Sequence, residues 1–324
     1  LQLDNYLYTR ESFAEIKKIL KPEGMLFVSF DVRRPWIGQR IQSGLKDVFG
    51  QSPLVFSLQD QSFFGWGGVV FIVGREPGVL DRYLAQNKDL GDFVRSRETS
   101  FSGETNLLSD DWPYLYLDRP RLPKIHLLVF ALLLVALGLC RKFVAWQGKI
   151  DFQMLLLGAG FLLYEFQNIN RTALIFGNTW QTSLLTITAV LLFVLLANLI
   201  HVLRPFPLKL SYAFLFLFLA LQLFVPLAVF NSLTGLAKIA GASFWLNMPF
   251  FFSSLIFISL FSTRQDKAAA LGSNLLGSVA GGMLSVFSLV WGIKSVLVIS
   301  FLLYAISLTG FLKTGRINKF NAAG

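Results

Sequence analysis

Leu20-Lys21-Pro22-Glu23-Gly24-Met25-Leu26-Phe27-Val28-Ser29-Phe30 reads as a helix stop, a turn and a strand. Pro22 and Gly24 cannot continue a helix. The unbroken apolar run from Met25 to Phe30 suits a strand buried on both faces, as in a parallel sheet. Upstream, Thr9 is a helix N-cap, with Glu11 in the first turn and Phe13, Ile16, Ile19 and Leu20 at helical spacing. Lys17, Lys18 and Lys21 crowd its last turn, where the helix dipole favours cations. Downstream, Pro35 opens a second helix whose buried face is Ile37, Ile41, Leu45, Val48 and Phe49. Two strands follow, Leu54 to Leu58 and about Gly67 to Val73, close enough to pair antiparallel. Helix, strand, helix, strand, strand is the closing half of a doubly wound sheet. Three strands are not expected to bury a proper core alone, so the opening half is expected upstream of Leu1, and the chain is read as the back portion of a larger protein.

The 324 residues are 54% hydrophobic and carry a net charge of +10. Residues 1–124 hold 32 charged side chains of balanced sign, whereas residues 125–324 hold 13 Lys and Arg against Asp151, Glu165 and Asp266. The excess positive charge therefore sits in short loops between apolar segments, where cations meet lipid headgroups. No nucleic-acid partner is implied. One cysteine, Cys140, excludes a disulfide scaffold, and two histidines, His126 and His201, make a metal site unexpected.

The division read from the sequence is 1–75 as part of an α/β domain and 76–124 as a polar excursion and junction. Residues 125–312 form a helical membrane domain, and 313–324 a basic tail. Residues 76–111 lack a clear period and read as a flexible excursion, with lid character. Seven apolar segments follow, near 125–140, 152–175, 180–203, 210–230, 244–262, 268–291 and 295–312. In lipid these must be helices. If all seven cross, six loop cations fall on the side of the soluble domain and ten opposite. If the first lies flat, the tally becomes 13 to 3 and places the soluble domain and tail in the cytoplasm, with six crossings.

Glu165 is the clearest ionisable residue inside an apolar segment, with Asn168 and Arg171 close behind and Asn274 expected to face them from segment six. It reads either as part of a helix-packing polar cluster, protonated or paired to Arg171, or as a substrate or headgroup contact. Ser273, Gly277 and Gly281 form a small-residue stripe for close helix approach. Pro226 and Pro249 are expected to kink their helices.

Leu3-Asp4-Asn5-Tyr6-Leu7-Tyr8-Thr9-Arg10-Glu11-Ser12-Phe13, followed by Leu20-Lys21-Pro22-Glu23-Gly24, resembles the late part of class I S-adenosylmethionine-dependent methyltransferase folds, and more narrowly spermidine-synthase-like proteins. Ser109-Asp110-Asp111-Trp112-Pro113-Tyr114-Leu115 is similar to a stretch in bacterial membrane-fused members of that group. Gly158 to Glu165 and Gly272 to Gly282 resemble their membrane part. The resemblance implies an α/β partial Rossmann-like domain, a methyltransferase-type C-terminal half, followed by an all-α multi-pass transmembrane bundle in a bacterial inner membrane. It implies S-adenosylmethionine or its decarboxylated form as donor of a methyl or aminopropyl group to a small-molecule acceptor. The glycine-rich loop and the ribose-holding acid of such proteins are not in this sequence, so the chain alone is expected to be inactive. What remains is a site rim of Asp4, Tyr6, Tyr8 and Asp31, at the carboxyl ends of strands, where open α/β sheets bind ligands. A second reading has Asp4 capping and the tyrosines packing. Asp110 and Asp111 read as a turn or cap at the junction, or as catalytic groups. The alternative function is a transporter or membrane-binding module whose α/β domain is regulatory or non-catalytic.

Overall fold

A computed structural model describes residues 4–58, 68–103, 105–143, 150–177 and 179–321, with the side chains of 4–5, 140–143 and 311–321 outside the description. The chain divides into two compact units, Leu1–Arg121 and Leu122–Gly324. It is mostly helical, with one small sheet.

In the first unit a 3-10 turn, Asp4–Tyr8, leads into α1 (Arg10–Ile19). Thr9 caps it, its Oγ1 accepting from the Ser12 amide at 3.3 Å. After β1 (Met25–Phe30), α2 (Pro35–Phe49) starts on Pro35 and ends at Gly50, whose φ of 75° is the left-handed cap that glycine adopts without strain. β2 (Leu54–Leu58) and β3 (Gly68–Gly74) follow, and the strand order is β1-β3-β2. β3 runs antiparallel to both neighbours, from Met25↔Gly74 to Phe30↔Val69 on one side and Leu54↔Ile72 to Leu58↔Gly68 on the other. β1 and β2 therefore point the same way, joined by α2, with β3 returning between them. Phe13, Ile41, Leu45 and Phe71 are fully buried beneath α1 and α2, so the three strands and their helices do bury a core.

Two expectations fail here. β1 is not buried on both faces: Phe27 is 60% exposed. The cause is coverage. β1 is an edge strand among the described residues, and α3 (Val79–Gln86) and α4 (Lys88–Arg95) close over β2 and β3 instead, with Val94 packed on Phe56 and Ile72. Nor is 76–111 a structureless excursion. α3 and α4 occupy it. The chain then bonds to β2, with the Ser57 amide donating to Arg97 O at 3.0 Å and the Thr99 amide to Val55 O at 2.9 Å.

The second unit is helical: α5 (Lys124–Phe143), α6 (Phe152–Phe176), α7 (Trp180–Leu203), α8 (Leu208–Phe224), α9 (Gly235–Ser262), α10 (Lys267–Leu284), α11 (Ser288–Trp291) and α12 (Ile293–Asn321). Among the described residues, four helical stretches are long and apolar enough to cross a membrane: Trp180–Leu203, Gly235–Ser262, Lys267–Trp291 and Ile293–Gly310. Lys124–Leu139 and Leu208–Phe224 are apolar but shorter. The segment expected at 210–230 ends early, because Pro226 terminates α8 rather than kinking it and starts a 3-10 turn, Leu227–Ser232. Pro249 stays inside α9.

α6 is the most enclosed of these helices, with 15 of its 25 residues buried against α7, α9, α10 and α12. Its crossing with α10 is a backbone-to-backbone approach. A Cβ at Gly277 would stand 1.9 Å from Leu155 O, and one at Gly281 2.3 Å from Ala159 O. On the α6 side, a Cβ at Gly158 would stand 2.0 Å from Asn274 O. The small-residue stripe is a packing device, as expected. Asp151 caps α6 and pairs with Arg264 at 2.6 Å, tying the start of α6 to the end of α9.

Candidate functional site

In the first unit, folding brings the Ser109–Leu117 stretch against the turn before α1. Thr9 Oγ1 lies 2.8 Å from Asp110 Oδ1, the Asp110 amide donates to Glu11 Oε2 at 3.0 Å, and the Arg10 amide to Leu108 O at 3.1 Å. The carboxyl end of β1 meets the same region through aromatic contacts. Tyr8 sets its ring edge-on to Phe30 at 5.3 Å, and Phe30 lies 6.5 Å from Tyr116. Trp112 and Tyr114 stack edge-to-face at 5.7 Å.

Tyr6 faces this group. Its hydroxyl is buried and has no hydrogen-bond partner among the described residues. Burial pushes its pKa well above the ordinary phenol value, and Tyr114, Asp110 and Asp111 add to the shift. Tyr6 is therefore a neutral hydroxyl held near two carboxylates and a second phenol, and an orphaned buried hydroxyl of this kind calls for a water, an ion or a ligand atom.

Arg40 holds the loop that carries these groups. It is 1% exposed and donates to Thr105 Oγ1, Asn106 O, Tyr114 O, Leu115 O, Leu117 O and Asp118 O, with its guanidinium 5.0 Å over the Trp112 ring. Burial lowers its pKa to about 10, against the opposing pull of Asp118. The sequence reading missed Arg40, although it stands three residues after Ile37 on the apolar face of α2, a spacing that marks burial.

Of the rim residues, Tyr6 and Tyr8 join the cluster with Asp110 and Asp111. Asp31 follows β1 but is exposed and pairs with Arg33 at 2.7 Å. The Asp4 side chain lies outside the described residues.

In the second unit, Tyr164, Gln167, Asn168 and Arg171 share one face of α6 and meet α8 and α9. Arg171 does not pair with Glu165. It donates to Gln222 Oε1 at 2.9 Å and to Gln222 O at 3.0 Å. Gln222 lies in the last turn of α8, where carbonyls lack helical partners, so Arg171 caps that helix end. Gln222 Nε2 in turn donates to Trp245 O at 2.8 Å. Trp245 O is four residues before Pro249, which has no N–H, so this is the carbonyl that the proline leaves unbonded. Tyr164 Oη donates to Leu246 O at 2.6 Å, next to the same break, and lies 2.9 Å from Gln222 Oε1. Much of the polar content of α6 thus repairs broken helix ends in its neighbours.

Glu165 is half-buried and has no hydrogen bond or ion pair among the described residues. Asn274 does not face it; its amide donates to Met154 O at 3.1 Å, nearer the start of α6. Asn168 finds Asn247 Oδ1 at 3.2 Å. No group of three or more His, Cys, Asp or Glu able to hold a metal occurs among the described residues.

Comparison of the chain with protein-family models, with curated proteins and with solved structures finds no match.

Proposed function

We propose that the chain is part of a membrane-bound transferase and that the cluster at the end of β1 receives a positively charged amine acceptor. The observation that carries this is the Tyr6 hydroxyl, buried without a partner among the described residues and near Asp110, Asp111 and Tyr114. Two carboxylates offset an ammonium charge, and flanking aromatic rings add cation–π attraction of about 0.5–2 kcal/mol. The phenol supplies a neutral hydrogen bond that fixes where the amine nitrogen sits. The resemblance in the sequence supports S-adenosylmethionine or its decarboxylated form as the donor. The residues present fit the acceptor and not the donor: neither the glycine-rich loop nor the ribose-holding acid is in this sequence. This chain's own part in the reaction is to bind and orient the amine. Loop charges support a bacterial inner-membrane protein with the α/β unit in the cytoplasm, and a reporter fused after Gly324 that labels from outside the cell contradicts that orientation.

The second reading, a transport or lipid-binding module with a non-catalytic α/β unit, draws on the polar face of α6. Calorimetric titration of the full chain in detergent with 1,4-diaminobutane separates the two. Saturable binding weakened by Asp111→Asn supports the acceptor site, and silence favours the module.

A further inference from the structure

The polar seam between α6, α8 and α9 is not fully used by the helix ends that it repairs. Arg171 is 8% exposed and makes two hydrogen bonds, both to Gln222, of the five a guanidinium can donate. No carboxylate pairs with it among the described residues. One turn earlier, the buried oxygens Gln167 Oε1 and Asn168 Oδ1 have no donor among the described residues, and on α9 the buried Nε1 of Trp245, whose ring packs with Ile175 and lies 6.1 Å from Phe218, has no acceptor among them. Gln167 and Asn168 are themselves at least nine-tenths buried. The seam therefore holds spare donors around a cation and spare acceptors beside them. A buried cation without an anion, and buried amide oxygens without donors, each cost free energy that a bound group of matching pattern removes.

The seam's depth narrows the choice. Arg171 is five residues from the end of α6 at Phe176, about 8 Å along the axis. Gln222 is two residues from the end of α8. At this same end Lys238 Nζ lies 5.9 Å over the Phe176 ring, and Trp180, 74% exposed, opens α7. Cations and an exposed tryptophan beside helix ends mark headgroup depth.

We infer that this seam binds a phosphate–ammonium group, the chemistry shared by a phosphatidylethanolamine headgroup and free phosphoethanolamine. The phosphate oxygens accept from Arg171 and from the Trp245 indole N–H. The ammonium donates to Gln167 Oε1 and Asn168 Oδ1. A choline headgroup carries the same charges but has no N–H to give, so the two amide oxygens discriminate against it.

The test uses the full chain in detergent, stripped of lipid, with thermal unfolding followed as dioleoyl phosphatidylethanolamine, dioleoyl phosphatidylcholine or soluble O-phosphoethanolamine is added. Phosphatidylethanolamine is expected to raise the midpoint and phosphatidylcholine to leave it unchanged. Arg171→Gln removes the anion contact but also uncaps α8. Gln167→Leu is the cleaner variant, because its amide oxygen has no bond to lose among the described residues: it should unfold at the wild-type temperature without ligand and lose the ligand-induced rise. A rise with the soluble compound assigns a free metabolite as the ligand, and a rise with the lipid alone assigns the headgroup; both support the site. Equal rises with both lipids, a rise that survives in Gln167→Leu, no rise with either phosphoethanolamine probe, or ordered water alone in the seam of a high-resolution structure overturns it.

Discussion

Thr9 Oγ1 stands 2.8 Å from Asp110 Oδ1, a contact between residues 101 apart that joins the start of α1 to the acidic loop. The same oxygen accepts from the Ser12 amide, so one side chain caps a helix and anchors Asp110. Thr9→Val keeps the shape and removes both of these bonds together with the hydroxyl's 3.0 Å contact to Tyr6 O. It should destabilise the first unit by about 1–2 kcal/mol, the cost of a lost cap, and Thr9→Ser should restore most of it. Faster hydrogen exchange at the Arg10 amide, which bonds Leu108 O, reads the loosened anchor directly.

Arg40→Met tests whether residues 105–118 are held by one guanidinium. Six acceptors lose a charged donor, and the buried carbonyls among them are left without it. A loss of roughly 3–5 kcal/mol is expected, with cleavage by limited proteolysis appearing between Thr105 and Asp118. Lysine, a point charge without the planar fork, should rescue little.

The local grammar of the first unit was legible: Thr9 as a cap, Pro35 in the first turn of α2, the pairing of the last two strands. What misled the strand reading was that an apolar run reports burial potential, and β1 lies at an edge where, among the described residues, Phe27 is left exposed. α3 and α4 were missed because each is eight residues, too short for a period to declare itself. In the candidate site, Tyr6, Tyr8, Asp110 and Asp111 were all singled out, but no spacing rule tells which residues meet across a hundred positions. In the membrane part the stripe Ser273, Gly277, Gly281 was readable because helix packing is periodic. The partner of Arg171 was not, since Gln222 and the Pro249 break lie on other helices.

Gly277→Val should disrupt the α6–α10 crossing, because its Cβ would fall 1.9 Å from Leu155 O, a backbone atom that cannot step aside. Gly272→Ala, with open space at its Cβ, is the matched control and should be neutral or slightly stabilising as a helix substitution. Thermal unfolding in detergent should fall for the first and hold for the second.

Gln222 and Pro249 should be energetically coupled although they need not touch. Gln222→Leu leaves Trp245 O without its donor, whereas Pro249→Ala restores the backbone N–H that Trp245 O otherwise lacks. In a double-mutant cycle, Pro249→Ala should be more favourable in the Gln222→Leu background than in the wild type, by about 1 kcal/mol. Additive effects would show that Gln222 does not serve the proline break.

Binding of 1,4-diaminobutane to wild type, Tyr6→Phe and Asp111→Asn tests the acceptor site most directly. Because the Tyr6 hydroxyl has no partner among the described residues, Tyr6→Phe should fold as well as wild type. The account expects saturable binding to wild type, weakened about tenfold in Tyr6→Phe, equivalent to roughly 1.4 kcal/mol for one hydrogen bond to a charged group, and weakened further in Asp111→Asn. Calorimetry that detects no binding to wild type, or equal affinity in all three proteins, contradicts it.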